Sequence, residues 1–166
     1  MLVYLVRHGL AIETADPKCP PDPKRHLTPE GVKKTREAMA GLRALGAEPD
    51  VLLTSPYLRA VQSAELAADA LNYPIEKIKH SEALLPGTPP AALFKELAKL
   101  RADEVMCFGH APHLDLALAA AMGLRAPITQ LKKAGAACVE METLNPPRGL
   151  LIWVFTAKVL RLLGTA

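Results

Sequence analysis

The sequence predicts an α/β domain with a mostly parallel sheet and one antiparallel member, and three observations carry that expectation. Short apolar runs alternate with amphipathic stretches as far as Gly123, the pattern of strands joined by crossover helices. Two later strand-like runs, Ala136 to Met141 and Leu150 to Phe155, meet across an Asn145-Pro146-Pro147 turn and read as a hairpin. Three of the earlier strands end directly in arginine, histidine or serine, and in open α/β sheets ligands bind outside the carboxyl ends of the strands.

The chain has 166 residues, half of them apolar and 22% charged, so one globular domain over 1–166 accounts for it. A formal charge of +3 is too small to call for a nucleic-acid or membrane partner, and any strong positive field must be local. No apolar run approaches the ~18 residues of a membrane helix, and no basic segment precedes the first hydrophobic run, so a cytoplasmic location is expected. Cys19, Cys107 and Cys138 are widely spaced and odd in number, which fits reduced thiols better than a disulfide framework or a zinc site.

Leu2 to Val6 is the first strand, ending in Arg7-His8-Gly9, where a charge, an imidazole and a permissive glycine cost stability and serve chemistry. A loop at 10–27 with four prolines follows, long enough to be functional or disordered. Thr28-Pro29-Glu30 starts a helix with its inner face at Val32, Met39, Leu42 and Leu45, stopped by Gly46. Val51 to Thr54 is the second strand, and Ser55-Pro56 repeats the cap-then-proline signal. The helix after it has Tyr57, Val61, Ala64, Ala68 and Leu71 inward and Arg59 in its first turn. Ile75 to Lys79 reads as a short edge strand. A helix from Thr88-Pro89 turns Leu93, Leu97 and Leu100 inward, and Glu104 to Phe108 is a strand ending in Gly109-His110. Pro112 begins a helix carrying Leu114, Leu118 and Met122.

Strand direction thus delivers Arg7, His8, Arg59 and His110 to one sheet edge. Two guanidinium forks match phosphoryl oxygens, and a helix N-terminus at Ser55-Pro56 favours an anion further. Two histidines in such a cage point to nucleophilic catalysis through a phosphohistidine, with arginines rather than a metal holding the equatorial oxygens. His110 and His113 are spaced to share a helical face, but no third metal ligand lies nearby in sequence, and no metal or other cofactor is expected. His113 is expected at the rim of the site or in solvent, and His26 and His80 at the surface.

Arg7-His8-Gly9, Leu27-Thr28-Pro29-Glu30-Gly31, Thr54-Ser55-Pro56 with Arg59, and Gly109-His110-Ala111-Pro112 stand in an order that resembles the histidine phosphatase, or phosphoglycerate-mutase-like, superfamily. Arg25-His26-Leu27-Thr28, Leu85-Pro86-Gly87 and the short chain most resemble its SixA-type phosphohistidine phosphatase branch. The resemblance implies a three-layer sandwich whose six-stranded sheet runs in the order 3-2-4-1-5-6 with strand 5 antiparallel. It also implies that His8 is the nucleophile, Arg7 and Arg59 clamp phosphate, His110 donates to the transition state, and Arg25 is a further substrate or phosphate contact. Arg25 has an alternative as a loop residue held by nearby acids.

Much of that superfamily has an acidic proton donor after the third strand; here Ala83 occupies the register and Glu82 lies beside it, where it reads more simply as a solvated carboxylate. A phosphate ester would miss that acid. A phosphohistidine leaves as imidazole, with an ordinary pKa near ~6.5, so the gap tilts the substrate toward a phosphohistidine protein. A small phosphate ester, mutase chemistry, or a phosphate-binding module without turnover are the competing readings. The partner expected is a phosphorylated protein or small phosphorylated molecule, with neither nucleic acid nor membrane.

Overall fold

A computed structural model describes residues 1–165. Its strands are β1 (Leu2–Arg7), β2 (Val51–Thr54), β3 (Lys79–His80), β4 (Glu104–Gly109), β5 (Ala136–Leu144) and β6 (Pro147–Phe155). The helices are α1 (Pro29–Ala44), α2 (Leu58–Leu71), α3 (Pro90–Leu97), α4 (His113–Ala121) and α5 (Ala157–Leu163). One sheet joins all six strands in the order β3-β2-β4-β1-β5-β6, with β5 antiparallel to both of its neighbours.

The central strands are apolar without interruption because both their faces are covered. Val3 and Leu5 of β1, with Val105 and Cys107 of β4, pack under α3 and α4 against Leu93, Leu97, Leu114 and Leu118. The alternate residues Tyr4, Val6, Met106 and Phe108 face the other way, onto Met39 and Leu42 of α1, the alanines of α2 and Leu160 of α5. Strand alternation therefore divides the core into two halves, one on each face of the sheet.

Thr28 caps α1, its Oγ1 accepting from the Gly31 N–H at 3.0 Å, a contact ordinarily worth about 1 kcal/mol. The buried face of that helix is Thr35, Ala38, Met39 and Leu42, whereas Val32 is half-buried and Leu45 is exposed past the helix end. The Ser55-Pro56 cap is also displaced: those residues form a turn, Tyr57 occupies the N-cap, and the helix begins at Leu58. Its buried face is Ala60, Ala64, Ala67 and Ala68 with Arg59 and Ser63, and Tyr57, Val61 and Leu71 are only half-buried.

The third strand shrinks to Lys79–His80, because Ile75–Lys77 forms a 3-10 turn, and both strand residues are exposed at the sheet edge. Leu100 lies beyond the end of α3, half-buried. The hairpin is longer than its apolar cores suggest, since β5 and β6 continue through polar residues to a loop at Asn145-Pro146. Helix α5 has no counterpart in the sequence reading. It packs on α1 so closely that a Cβ on Gly41 would lie 1.9 Å from the Leu160 carbonyl oxygen.

Candidate active site

The site follows from one register. β1 and β4 are parallel neighbours with Arg7 opposite Gly109, and the His8 N–H donates to the Gly109 carbonyl at 3.0 Å. The next residues along, His8 and His110, leave the sheet side by side with ring centroids 5.1 Å apart. Ser55 leaves the adjoining strand β2, its N–H donating to Phe108 O at 2.9 Å, and its Oγ lies 2.8 Å from His110 Nε2. The first turn of α2 then carries Arg59 into the same place.

Hydrogen bonding assigns the tautomer of His8. Its Nδ1 lies 2.7 Å from the Gly9 carbonyl, which only accepts, so the proton sits on Nδ1. Nε2 keeps its lone pair and accepts from Arg59 Nε at 3.2 Å. Burial pushes the His8 pKa down to about 3; the Gly9 carbonyl opposes this, and the charges of Arg59, Arg7 and Lys133 reinforce it. His110 is likewise lowered to about 3, by burial first and then by His8 and Arg59. Two neutral imidazoles thus stand beside a buried guanidinium, an arrangement that offers a nucleophilic nitrogen to an anionic electrophile.

Gly9 has a different reason from the one its sequence position predicts. Its φ is ordinary, and a Cβ there would lie 2.1 Å from Thr35 Oγ1, so the glycine admits α1 rather than a ligand. The Gly9 N–H donates to Ser63 Oγ at 3.0 Å, and that hydroxyl donates to the Arg59 carbonyl at 2.7 Å. The segment after His8 and the helix bearing Arg59 are therefore one hydrogen-bonded unit.

Arg7 is half-buried and anchored elsewhere: Nη1 donates to the Leu131 carbonyl at 2.7 Å. Leu131 is held in turn by Asp115 of α4, whose Oδ1 accepts the Leu131 N–H at 2.7 Å. Arg25 lies on the loop rather than in the cage. Its Nε and Nη2 donate to the Ile12 carbonyl at 3.0 and 2.7 Å, and Nη1 pairs with Asp22 at 3.1 Å. It reaches the site only through Asp22, whose carbonyl accepts from Arg59 Nη1 at 2.7 Å and whose carboxylate lies 3.4 Å from Nη2. Burial raises the Asp22 pKa, but the Arg25 hydrogen bond and the charge of Arg59 outweigh it and leave the carboxyl below its ordinary value.

Loop 10–27 is closed at its base by an Ala11–Leu27 bridge and tied to α2 through the Leu27 N–H and Gln62 Oε1 at 2.7 Å. Tyr57 stands beside the site: its ring meets His110 edge-on at 5.3 Å, with Arg59 over its face at 5.0 Å. His113 is not at the rim. It is 2% exposed on the first turn of α4, because only Ala111 and Pro112 separate that helix from the buried His110. Neither of its ring nitrogens has a partner among the described residues. His26, His80 and Glu82 are exposed, and no three His, Cys, Asp or Glu side chains converge to hold a metal among the described residues.

Sequence reasoning missed Asp22, Tyr57, Ser63 and Asp115. Two of them left a signal, Asp22 in its Asp-x-x-Arg spacing to Arg25 and Asp115 as the one charge in the otherwise apolar run LDLALAAA.

Residues 3–82 match the model of the histidine phosphatase superfamily, branch 1. An uncharacterized protein of Picosynechococcus is 35% identical over 142 residues, spanning 81% of this chain and 82% of the relative. The structure of the protein histidine phosphatase SixA complexed with tungstate superposes with a TM-score of 0.85 at 25% identity, covering 96% of this chain and 99% of the other. A phosphoserine phosphatase from Entamoeba histolytica shares the fold at a TM-score of 0.70 and 14% identity, over 95% and 98% of the two chains. With the strand order, the histidine pair and the sequence similarity in agreement, the chain belongs to the histidine phosphatase superfamily, on its SixA-type branch.

Proposed function

We propose that this protein is a phosphohistidine phosphatase that works through a covalent phospho-His8. The observation that carries the reading is the state of His8: neutral, with its proton on Nδ1 and its Nε2 lone pair beside Arg59 and the His110 ring. Nε2 attacks phosphorus while the bond to the substrate's imidazole nitrogen breaks, and that imidazole takes a proton from solvent as it departs. Water then attacks phospho-His8, the P–Nε2 bond breaks, and inorganic phosphate leaves with the oxygen of that water. Arg59 and Arg7 supply charge to the equatorial oxygens, and His110 donates a hydrogen bond to one of them.

The substrate class rests on the leaving group. The acidic position after the third strand is Ala83, and the exposed Glu82 has no hydrogen bond from its carboxylate among the described residues. An imidazole leaves readily near neutral pH without a dedicated acid, whereas an alkoxide does not. The SixA protein it resembles is described as a protein histidine phosphatase, which supports the same choice.

Incubation with ³²P-labelled phosphohistidine protein and rapid acid-free quenching should leave label on this chain. His8→Ala should remove the label and lower turnover on the order of 10³-fold or more. Label that persists in His8→Ala refutes the nucleophile. Preference for phosphoserine or sugar phosphates over phosphohistidine in a matched panel refutes the substrate class but not the mechanism.

A further inference from the structure

A cavity of about 450 Å³ opens beside Arg7, floored by Leu10, Ala134 and Ala157 and rimmed by basic side chains. Arg7 comes from the end of β1, Lys34 from α1, Lys132 and Lys133 from the segment before β5, and Lys158 and Arg161 from α5. No acidic residue lines it among the described residues. Lys34, Lys133 and Arg161 have carboxylate partners outside the lining, Glu30, Glu13 and Glu37, while Lys132 and Lys158 have none among the described residues. In a chain of net charge +3, this is the local positive field that the composition as a whole does not provide.

The cavity is continuous with the chemistry through two residues. Arg7 borders it while standing one residue before His8, and the charge of Lys133 is felt at the His8 ring. An anionic group seated there would meet Arg7, the residue next to His8. We propose that this cavity is a docking subsite for acidic side chains of the phosphorylated protein substrate, read beside its phosphohistidine.

The kind of cation decides between a protein surface and a compact metabolite. Lys34, Lys132 and Lys158 are exposed, flexible point charges drawn from three separate segments, and the two forked cations are already engaged, Arg7 with the Leu131 carbonyl and Arg161 with Glu37. Such a set attracts and orients an acidic surface without fixing the geometry of one small molecule. The apolar floor accommodates the methylene stems of glutamates whose carboxylates meet the rim.

This inference rests on the phosphohistidine reading, and one experiment separates the two. Two synthetic phosphohistidine peptides are compared, alike except for four flanking Glu or four flanking Gln, with p-nitrophenyl phosphate as a small control. The wild-type enzyme should favour the Glu peptide about tenfold in kcat/KM at low salt, with the preference shrinking as salt rises. Lys132→Gln/Lys158→Gln should abolish the preference and leave turnover of p-nitrophenyl phosphate unchanged. Equal turnover of the two peptides by wild type, or a preference that survives the double substitution, overturns the docking subsite alone. A fall in p-nitrophenyl phosphate turnover matching the fall on the Glu peptide also overturns it, by showing a general loss. Failure to hydrolyse either peptide while p-nitrophenyl phosphate turns over overturns the phosphohistidine reading itself.

Discussion

Asp22 meets Arg59 through two different groups. Its backbone carbonyl and carboxylate both engage Arg59, and its carboxylate also engages Arg25, so one loop residue holds a negative charge against the guanidinium proposed to clamp phosphate. A phosphoryl group bound to Arg59 must share that guanidinium with Asp22, and two anions on one cation repel. The Asp22 side chain is 49% exposed, so solvent screens much of this effect. Asp22→Asn keeps the backbone contact and most of the side-chain shape while removing the charge. It should tighten binding of vanadate, measured by inhibition of p-nitrophenyl phosphate turnover, by about three- to fivefold, the scale of a partly exposed ion pair. Unchanged or weaker vanadate binding would mean that Asp22 supports Arg59 rather than competing for it.

At the scale of elements, the site is held by contacts between segments far apart in sequence, and these divide what the sequence reveals from what it hides. Strand ends and motif residues were legible: the carboxyl-edge rule alone brings His8, Arg59 and His110 together, because each follows directly on a strand or opens the next helix. Arg25 was legible both as a phosphate contact and as a loop residue held by nearby acids; Asp22 is such an acid, while the Ile12 carbonyl is a partner that no side-chain pattern announces. Helix α5 was hidden because its seven residues carry one fully buried side chain, Leu160, too few to set a period. The third strand misled for the same reason: of the five alternating residues Ile75 to Lys79 only Lys79 pairs, the strand continuing one residue further to His80. The burial of His113 was hidden because it depends on how closely α4 follows β4.

Asp115 shows how such an interelement contact serves the site. It reaches from α4 to the Leu131 N–H, and Leu131 O holds Arg7. Asp115→Ala leaves a buried N–H without an acceptor, a cost of about 1–3 kcal/mol, and loosens the anchor of Arg7. Urea unfolding should register the lost stability, and KM for p-nitrophenyl phosphate should rise more than kcat falls. Asp115→Asn retains an acceptor and should recover most of both. Lost stability with an unchanged KM would detach Asp115 from Arg7 and leave it a purely structural residue.

Across the whole molecule, the fold stores three histidines in places that disfavour their charged form. His8 and His110 are lowered to about 3, and His113 is lowered by burial alone. In the unfolded chain each titrates near ~6.5. Above that value both states are neutral and the histidines do not make stability depend on pH. As pH falls below it, the unfolded chain takes up protons that the folded chain refuses, so stability declines until the folded pKa is reached. Between pH 6.5 and 5 ordinary carboxylates stay largely ionised in both states, so this window isolates the histidines. Integrated to pH 5, a histidine shifted this far contributes a loss on the order of 2 kcal/mol. Urea unfolding at pH 6.5 and pH 5 should therefore show a loss of several kcal/mol in the wild type. His113→Leu removes one contributor and two buried ring nitrogens that lack partners among the described residues, at nearly constant volume. The variant should be at least as stable as wild type at pH 6.5 and lose less on acidification. Identical losses in the two proteins would mean that His113 takes up its proton in the folded state as readily as in the unfolded chain, and that its burial does not keep it neutral.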